Sequence, residues 1–354
     1  MAIEAAAYYL DEPNKPLSLR SLSLPDPGPG EAIVEIEACG LCHTDLGFAN
    51  GSVAPRHPLP LVLGHEAAGK VVLAGEGAGA QLGKRVLIPA VLPCGRCALC
   101  TAGRGNACLS QKMPGNDIHG GFATHMLVPS AALVSLDGAP STLRIDALGV
   151  VADAVSTAYQ AVRRSGLVAG DVAFVVGGGG VGGFVAQIAH ALGAHVVVCD
   201  VSPDRLESAR GLGAEHAIDL RGRDAKDVRK EAFRYAKGWD VPPFGYRVFE
   251  CSGTTAGQLQ AYALLANAGT LVVVGFTRDM VNLRLSNLMA FDATVHGSWG
   301  CPVEAYPAVL ELIYQGKVAI EPFIERAPMS RLNELLAALS AHTLTRRMVL
   351  DPRA

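Results

Sequence analysis

The hydrophobic pattern changes character partway along the chain. Before about residue 150, short Val/Ile/Leu runs such as Ala32-Ile33-Val34-Glu35-Ile36 and Arg85-Val86-Leu87-Ile88 are divided by turns rich in proline and glycine. Pro25-Asp26-Pro27-Gly28-Pro29-Gly30 is one of these turns. Short apolar runs bounded in this way predict a mainly β region. From about residue 155 strands and helices alternate. Val172–Val176 is an uncharged run that suits a strand buried on both faces. Residues 182–192 follow as a helix, with Gly193 as its stop. Further strands are expected at 195–199, 247–251 and 270–275. Such alternation predicts a parallel sheet covered on both faces. After Cys301, residues 304–314 and 331–342 read as helices, the second capped by Ser330. Met348-Val349-Leu350 reads as a last strand returning to the first domain.

One uncharged stretch could mislead. Between Asp171 and Asp200 no Asp, Glu, Lys or Arg occurs, a length that could span a bilayer. It is broken by a glycine cluster into strand, turn and helix, so a buried βαβ unit is the expectation.

Composition narrows the class. A chain of 354 residues, 50% hydrophobic and 18% charged, suits a two-domain, well-buried enzyme. The net charge of −3 and the lack of a long basic run argue against nucleic-acid or membrane partners. Ala5 to Leu10 is too short for a secretory leader and follows Glu4. Nine cysteines without such a leader suggest a reducing, cytoplasmic location.

Four of those cysteines are tightly spaced: Cys94, Cys97 and Cys100 at two-residue gaps, then Cys108. This quartet can close a tetrahedral shell around one zinc ion. Four thiolates leave no position for substrate, so that zinc is structural. Cys39, Cys199, Cys251 and Cys301 read as small buried hydrophobes.

Gly177-Gly178-Gly179-Gly180-Val181-Gly182 follows a strand and opens a helix, the pattern of a dinucleotide turn. Gly177 permits the tight turn, Gly179 lets backbone approach a pyrophosphate, and Gly182 lets helix and strand pack closely. Asp200, at the end of the next strand, is placed to accept the adenosine-ribose hydroxyls and would repel a 2′-phosphate. NAD is therefore expected over NADP, with Arg205 as a second candidate ribose contact.

Cys42-His43-Thr44-Asp45 and Gly64-His65-Glu66 add a thiolate, an imidazole and a carboxylate. Together with the four-cysteine loop and the dinucleotide turn, they make the chain resemble the zinc-dependent medium-chain alcohol dehydrogenases over essentially its whole length. The resemblance implies an α/β fold: a GroES-like, mainly-β catalytic domain at 1–153 and 302–354, and a Rossmann, doubly wound parallel-sheet domain at 154–301. It maps Cys42 and His65 onto catalytic zinc ligands and Glu66 onto an exchanging or adjacent carboxylate. Asp153 takes the place usually held by a third, cysteine ligand, which makes the expected zinc a slightly harder Lewis acid. By the same resemblance Asp45 orients His65, and Thr44 holds the substrate oxygen and takes its proton. Gly47 stands where relatives carry a relay histidine, so the proton must leave by another route.

Val274-Gly275-Phe276 and Ser298-Trp299 are expected to position the nicotinamide. Arg347, with Arg346 as its rival, and His43 are expected at the cofactor phosphates. The implied reaction is alcohol oxidation, with the hydroxyl's pKa lowered at zinc and hydride passing to NAD. A homo-oligomer, dimer or tetramer, is also implied.

Within the family, several segments resemble the 6-hydroxycyclohex-1-ene-1-carbonyl-CoA dehydrogenases of anaerobic benzoyl-CoA degradation. These are Met113 to Phe122, Asp153 through Val162, Glu250 to Thr254, Arg284 to Phe291 and Phe323 to Arg326. The implied substrate is a ring secondary alcohol on an acyl-CoA, with dienoyl-CoA reduction a chemically related side activity. Trp299 and Phe291 are candidate pocket walls, and Tyr246 and the arginines of 221–234 candidate contacts to CoA phosphate. Another secondary alcohol or a polyol remains the alternative substrate. A non-catalytic NAD- and zinc-binding protein is the alternative class, and a zinc-ribbon module a further one.

Overall fold

Residues 3–354 are described by a computed structural model, in which the chain divides into two units. The first runs to Ser156 and takes up Gly300–Leu310 and Ile324–Ala354. The second comprises Thr157–Trp299 and Glu311–Phe323.

In the first unit the strand Glu31–Gly40 is the spine of a seven-stranded sheet. It pairs antiparallel with Glu66–Ala74, with His125–Pro129 and, near its end, with the last strand Arg347–Asp351. Two register shifts interrupt its pairing with Glu66–Ala74, one between Ile33 and Val34 and one between Ile36 and Ala38. Bulges bend a strand and re-aim its end, and this end carries Gly40 opposite Glu66. A smaller sheet joins Ser18–Leu24, Ile3–Leu10 and Leu61–Val62. Ile36, Leu61, Leu63 and Phe122 are wholly buried in the unit's main core. Each such side chain contributes about 1.5–3 kcal/mol through area removed from water.

The second unit holds six parallel strands in the order His216–Asp219, His195–Asp200, Val172–Val176, Arg247–Glu250, Thr270–Val273, Thr294–Gly297. All five residues of Val172–Val176 are buried, as its uncharged sequence requires at the centre of a two-sided sheet. Strand order reverses between this strand and Arg247–Glu250, the switch point at whose carboxyl edge doubly wound sheets bind ligands. The uncharged stretch after Asp171 resolves into strand, glycine turn, helix Gly180–Ala191 and strand. Among the described residues no helix is long and apolar enough to cross a membrane.

Three expectations are revised. Residues 311–323 pack with the second unit, because the Gln187 amide brackets Ala319, accepting its N–H at 2.7 Å and donating to its C=O at 3.1 Å. The Phe323 ring also fills the space beside Gly183, where a Cβ would lie 2.2 Å from it. Ser330 does not cap the last helix: it lies inside a 3-10 turn, Met329–Arg331, and the α-helix spans Leu332–Ser340 without a side-chain cap. Tyr246 is buried in an aromatic cluster with Phe174 and Phe233, at centroid distances of 5.3 and 5.1 Å, so it cannot meet a CoA phosphate.

Candidate active site

Cys42 precedes the short helix His43–Ala49, and His65 lies just before the strand Glu66–Ala74. Asp153 sits at the junction between a 3-10 segment, Ile145–Ala152, and the helix Ala154–Ser165. These elements bring one donor atom from each of Cys42, His65, Glu66 and Asp153 within 4.8 Å of one another. The Asp153 Oδ2 atom lies 3.9 Å from Cys42 Sγ and 3.7 Å from His65 Nε2. Tetrahedral zinc with ligands at about 2.0–2.3 Å has edges of about 3.3–3.8 Å, so the set needs little adjustment to hold the ion.

His65 supplies the sharper test of fit. Its Nδ1 lies 3.1 Å from Asp45 Oδ1, and its Nε2 is buried with no hydrogen-bond partner among the described residues. An ionised carboxylate only accepts, so Nδ1 carries the hydrogen and Nε2 faces the cluster. A buried ring nitrogen without a hydrogen-bond partner, directed at a thiol and two carboxyls, has the surroundings a metal ligand needs. Burial pulls the His65 pKa down, but Asp45, Asp153 and Cys42 outweigh it and raise it well above the ordinary value. The pocket thus favours positive charge at that nitrogen.

Glu66 is wholly buried and ion-paired with Arg347, whose side chain is only 9% exposed. Burial pushes the Glu66 carboxyl up to about 7 even against the pull of Arg347. Gly40 makes the arrangement possible, since a Cβ there would fall 2.1 Å from Glu66 Oε2. Arg347, expected at the cofactor phosphates, is turned inward onto Glu66, and its rival Arg346 is the exposed arginine. The pair joins residues 281 positions apart and has no local sequence signal; an arginine opening the final strand is the available hint. Thr44, half-buried, has its Oγ1 3.8 Å from Cys42 Sγ. The exposed His43 ring stacks with His342 at a centroid distance of 6.3 Å.

The second cysteine set is equally well formed. Sulfur separations are 3.5 Å for Cys97–Cys100, 3.7 Å for Cys97–Cys108 and 4.0 Å for Cys94–Cys100. These match the edges of a zinc tetrathiolate and are far longer than a disulfide bond. Backbone N–H groups of Arg96 and Cys97 lower the Cys94 thiol to about 6, while burial and the sulfurs of Cys97 and Cys108 push Cys100 up to about 12, so the neighbouring thiols share protons unequally.

In the second unit Gly177 has φ +93°, and a Cβ on Gly182 would sit 1.7 Å from the Gly177 carbonyl oxygen. Both positions therefore require glycine. Gly179 is the residue before the helix Gly180–Ala191, whose first turn also holds Val181 and Gly182. Asp200 is buried; its Oδ2 accepts the Gly178 N–H at 2.6 Å and its Oδ1 the Ser202 N–H at 2.8 Å. Arg205 Nη1 lies 3.8 Å from that carboxylate, over Gly179. Val274 and Gly275 both donate N–H groups to the Glu250 carbonyl, Ser298 donates its N–H to Val273, and Phe276 and Trp299 are exposed. Of the arginines considered for CoA, Arg221 is bound by Asp219, Arg223 by Glu231, and Arg229 by two backbone carbonyls. Phe291 is half-buried against the unit's core.

Comparison with known proteins agrees with this geometry. Residues 28–138 match the alcohol dehydrogenase GroES-like domain and residues 180–315 the zinc-binding dehydrogenase domain. The chain is 30% identical over 347 residues to an alcohol dehydrogenase of Geobacillus stearothermophilus, covering 97% of this chain and 98% of that one. It is 31% identical over 359 residues to an NAD-dependent alcohol dehydrogenase of Sulfolobus acidocaldarius, covering 97% and 98%. The solved structure of the alcohol dehydrogenase from Aeropyrum pernix superposes with a TM-score of 0.86 at 29% identity, covering 98% of this chain and all of that one. The chain belongs to the zinc-dependent medium-chain alcohol dehydrogenase family, and it is an enzyme of that class.

Proposed function

We propose that this enzyme oxidises a secondary alcohol with NAD as acceptor. The observation that carries the reading is the convergence of Cys42, His65, Asp153 and Glu66 around the unpartnered His65 Nε2. Zinc held by Cys42, His65 and Asp153, with Glu66 beside it, supplies the Lewis acid that lowers a substrate hydroxyl's pKa. NAD supplies the hydride acceptor.

The chain's own side chains do the rest. Asp45 fixes the His65 tautomer and ring orientation. Thr44 Oγ1 receives the hydroxyl proton and passes it outward, since Gly47 offers no side chain for a relay. Arg347 balances the Glu66 charge inside the protein. The Gly177–Gly182 turn and the N-terminus of the helix it opens cradle the pyrophosphate. Asp200 and Arg205 take the ribose, the carboxylate disfavouring a 2′-phosphate. The name of the Sulfolobus relative, NAD-dependent, supports the same cofactor.

For substrate, the segment likenesses in both halves of the sequence support a cyclohexenyl ring alcohol carried on CoA. With Tyr246 buried and Arg221, Arg223 and Arg229 held as described, Arg234, whose side chain is 71% exposed, is the most accessible arginine of that segment for a CoA phosphate. The deciding experiment follows NADH formation with 6-hydroxycyclohex-1-ene-1-carbonyl-CoA beside cyclohexanol and a small polyol panel. Turnover confined to the ester supports the CoA reading. Turnover on free alcohols alone keeps the dehydrogenase and discards the ester, and none at all discards the ester and the cyclic and polyol alternatives together.

A homo-oligomer belongs to the same proposal. Thr294–Gly297 is an edge strand, with Val295 40% and the nearby Met289 78% exposed. An edge strand that exposes its backbone and Val295 can pair antiparallel with a second copy of the chain about a twofold axis. Light scattering of the purified enzyme tests this, and a monomer at all concentrations would refute it.

A further inference from the structure

Asp153 is the unusual member of the ligand set, and the structure holds it by its backbone rather than its side chain alone. The carbonyl of Ala152, one half of the peptide that joins it to Asp153, has three donors within reach. The Tyr306 hydroxyl donates at 2.6 Å, the Ala90 N–H at 3.1 Å, and the Ser156 hydroxyl lies at 3.3 Å. Ser156 Oγ also lies 3.1 Å from the Asp153 carbonyl oxygen and 3.2 Å from the Tyr306 hydroxyl oxygen. Ala152, Ser156 and Tyr306 are all buried.

The hydrogen count fixes the network. The Tyr306 hydroxyl has one hydrogen and spends it on the short bond to Ala152. Its oxygen can then accept from Ser156, whose single hydrogen chooses among Tyr306 and the two carbonyls. The peptide plane at Ala152–Asp153 is thereby pinned from a residue more than 150 positions away in sequence. These bonds resist rotation of the Ala152–Asp153 peptide and so restrain the backbone from which Asp153 directs one oxygen, Oδ2, to 3.9 Å from Cys42 Sγ and 3.7 Å from His65 Nε2.

This matters more for a carboxylate than for a thiolate. Aspartate can meet a metal through one oxygen or both, and turning its backbone by a few tens of degrees (an order-of-magnitude figure for a torsional well) would switch between them. We infer that Tyr306, with Ser156, is a positioning residue that holds Asp153 as a single-oxygen ligand of the catalytic metal. The inference rests on the proposed catalytic zinc and names what orients its least usual ligand.

The test compares holoenzyme with Tyr306→Phe, which keeps the ring in its place and removes the hydroxyl. Zinc release to a chromogenic chelator is followed, and the visible spectrum is recorded after cobalt replaces the catalytic zinc. The expected result is catalytic-metal release faster by roughly tenfold or more, the usual effect of losing an outer support of a ligand. The cobalt spectrum should shift while the four-cysteine zinc is retained at the wild-type rate. A role confined to packing would move thermal stability but not the spectrum. Ser156→Ala, a smaller change at the same network, decides the matter if Tyr306→Phe fails to fold. Wild-type release rates and spectrum in the folded variants would overturn the inference and leave the zinc reading intact. A wild-type enzyme that binds a single zinc would remove both.

Discussion

His65 donates its Nδ1 hydrogen to Asp45 Oδ1 at 3.1 Å, and both side chains are sealed from solvent. Asp45 is doubly committed elsewhere: Oδ1 also accepts the Gly64 N–H at 3.1 Å and Oδ2 the Cys42 N–H at 3.0 Å. One carboxylate therefore sets the ring of one ligand and the backbone of another. Asp45→Asn cannot copy this, because either amide orientation points an N–H at a donor. We expect catalytic-zinc affinity to fall by about 10- to 100-fold. Chelator competition measures it; an unchanged affinity would show that the ligands are placed without Asp45.

Asp153→Asn should lower bound zinc from two to one per chain, with activity lost. An amide lacks the negative charge that closes the cluster, whereas Cys94, Cys97, Cys100 and Cys108 are untouched. Metal analysis after dialysis checks the outcome. Two zincs retained in the variant would mean that Asp153 is no ligand and that Glu66 completes the shell.

Arg347→Leu removes the cation from the buried Glu66 pair. Breaking such a pair from one side costs about 3–5 kcal/mol, since the remaining charge is left without compensation. Thermal unfolding of the purified variant should show a large fall in midpoint, and Arg347→Lys a smaller one. A midpoint within a degree or so of wild type (about 0.7 kcal/mol at this size) would contradict the ion pair's importance.

Acid stability should carry the mark of Asp146. Burial raises this carboxyl, but hydrogen bonds from Arg144 and Arg326 outweigh it and hold it at about 2, below its ordinary 3.8. A folded-state pKa below the unfolded one stabilises in full above the unfolded value and is lost as pH falls through the folded one. The window is thus from about pH 4 down to about pH 2. Because the group is partly exposed, the contribution is about 1 kcal/mol. Urea unfolding of wild type and Asp146→Asn should differ by that amount at pH 5 and converge near pH 2. A constant difference across that range would assign the effect to something other than ionisation.

How much of this was readable in advance follows from how local each feature is. The zinc loop, the glycine turn and the uncharged central strand are written in contiguous residues whose spacing is itself the signal. Cys42, His65 and Asp153 needed the family resemblance, since no spacing rule links residues so far apart. The ion pair of Arg347 with Glu66 is not legible in advance, because sequence shows a charge but not the direction it faces. Residues 311–323 were assigned to the wrong neighbour because Gln187, the residue that captures Ala319, looks like any helix glutamine. Tyr246 looked available because a tyrosine carries the same letter inside a core as on a surface.

Asp200 poses a question of two roles in one side chain. Its Oδ2 braces the glycine turn through Gly178, at 2.6 Å, while the same carboxylate is the proposed ribose acceptor. Asp200→Ser separates them. Loss of the brace alone would lower stability by about 1 kcal/mol, one buried hydrogen bond, and leave the cofactor preference where it was. Loss of the ribose acceptor would also remove the repulsion that keeps a 2′-phosphate away, with Arg205 standing 3.8 Å from the vacated charge. We expect the ratio of kcat/KM for NADP over NAD to rise at least about tenfold, equivalent to about 1.4 kcal/mol. Steady-state kinetics with both cofactors reads the ratio directly, and a preference that stays fixed while stability drops would confine Asp200 to holding the turn.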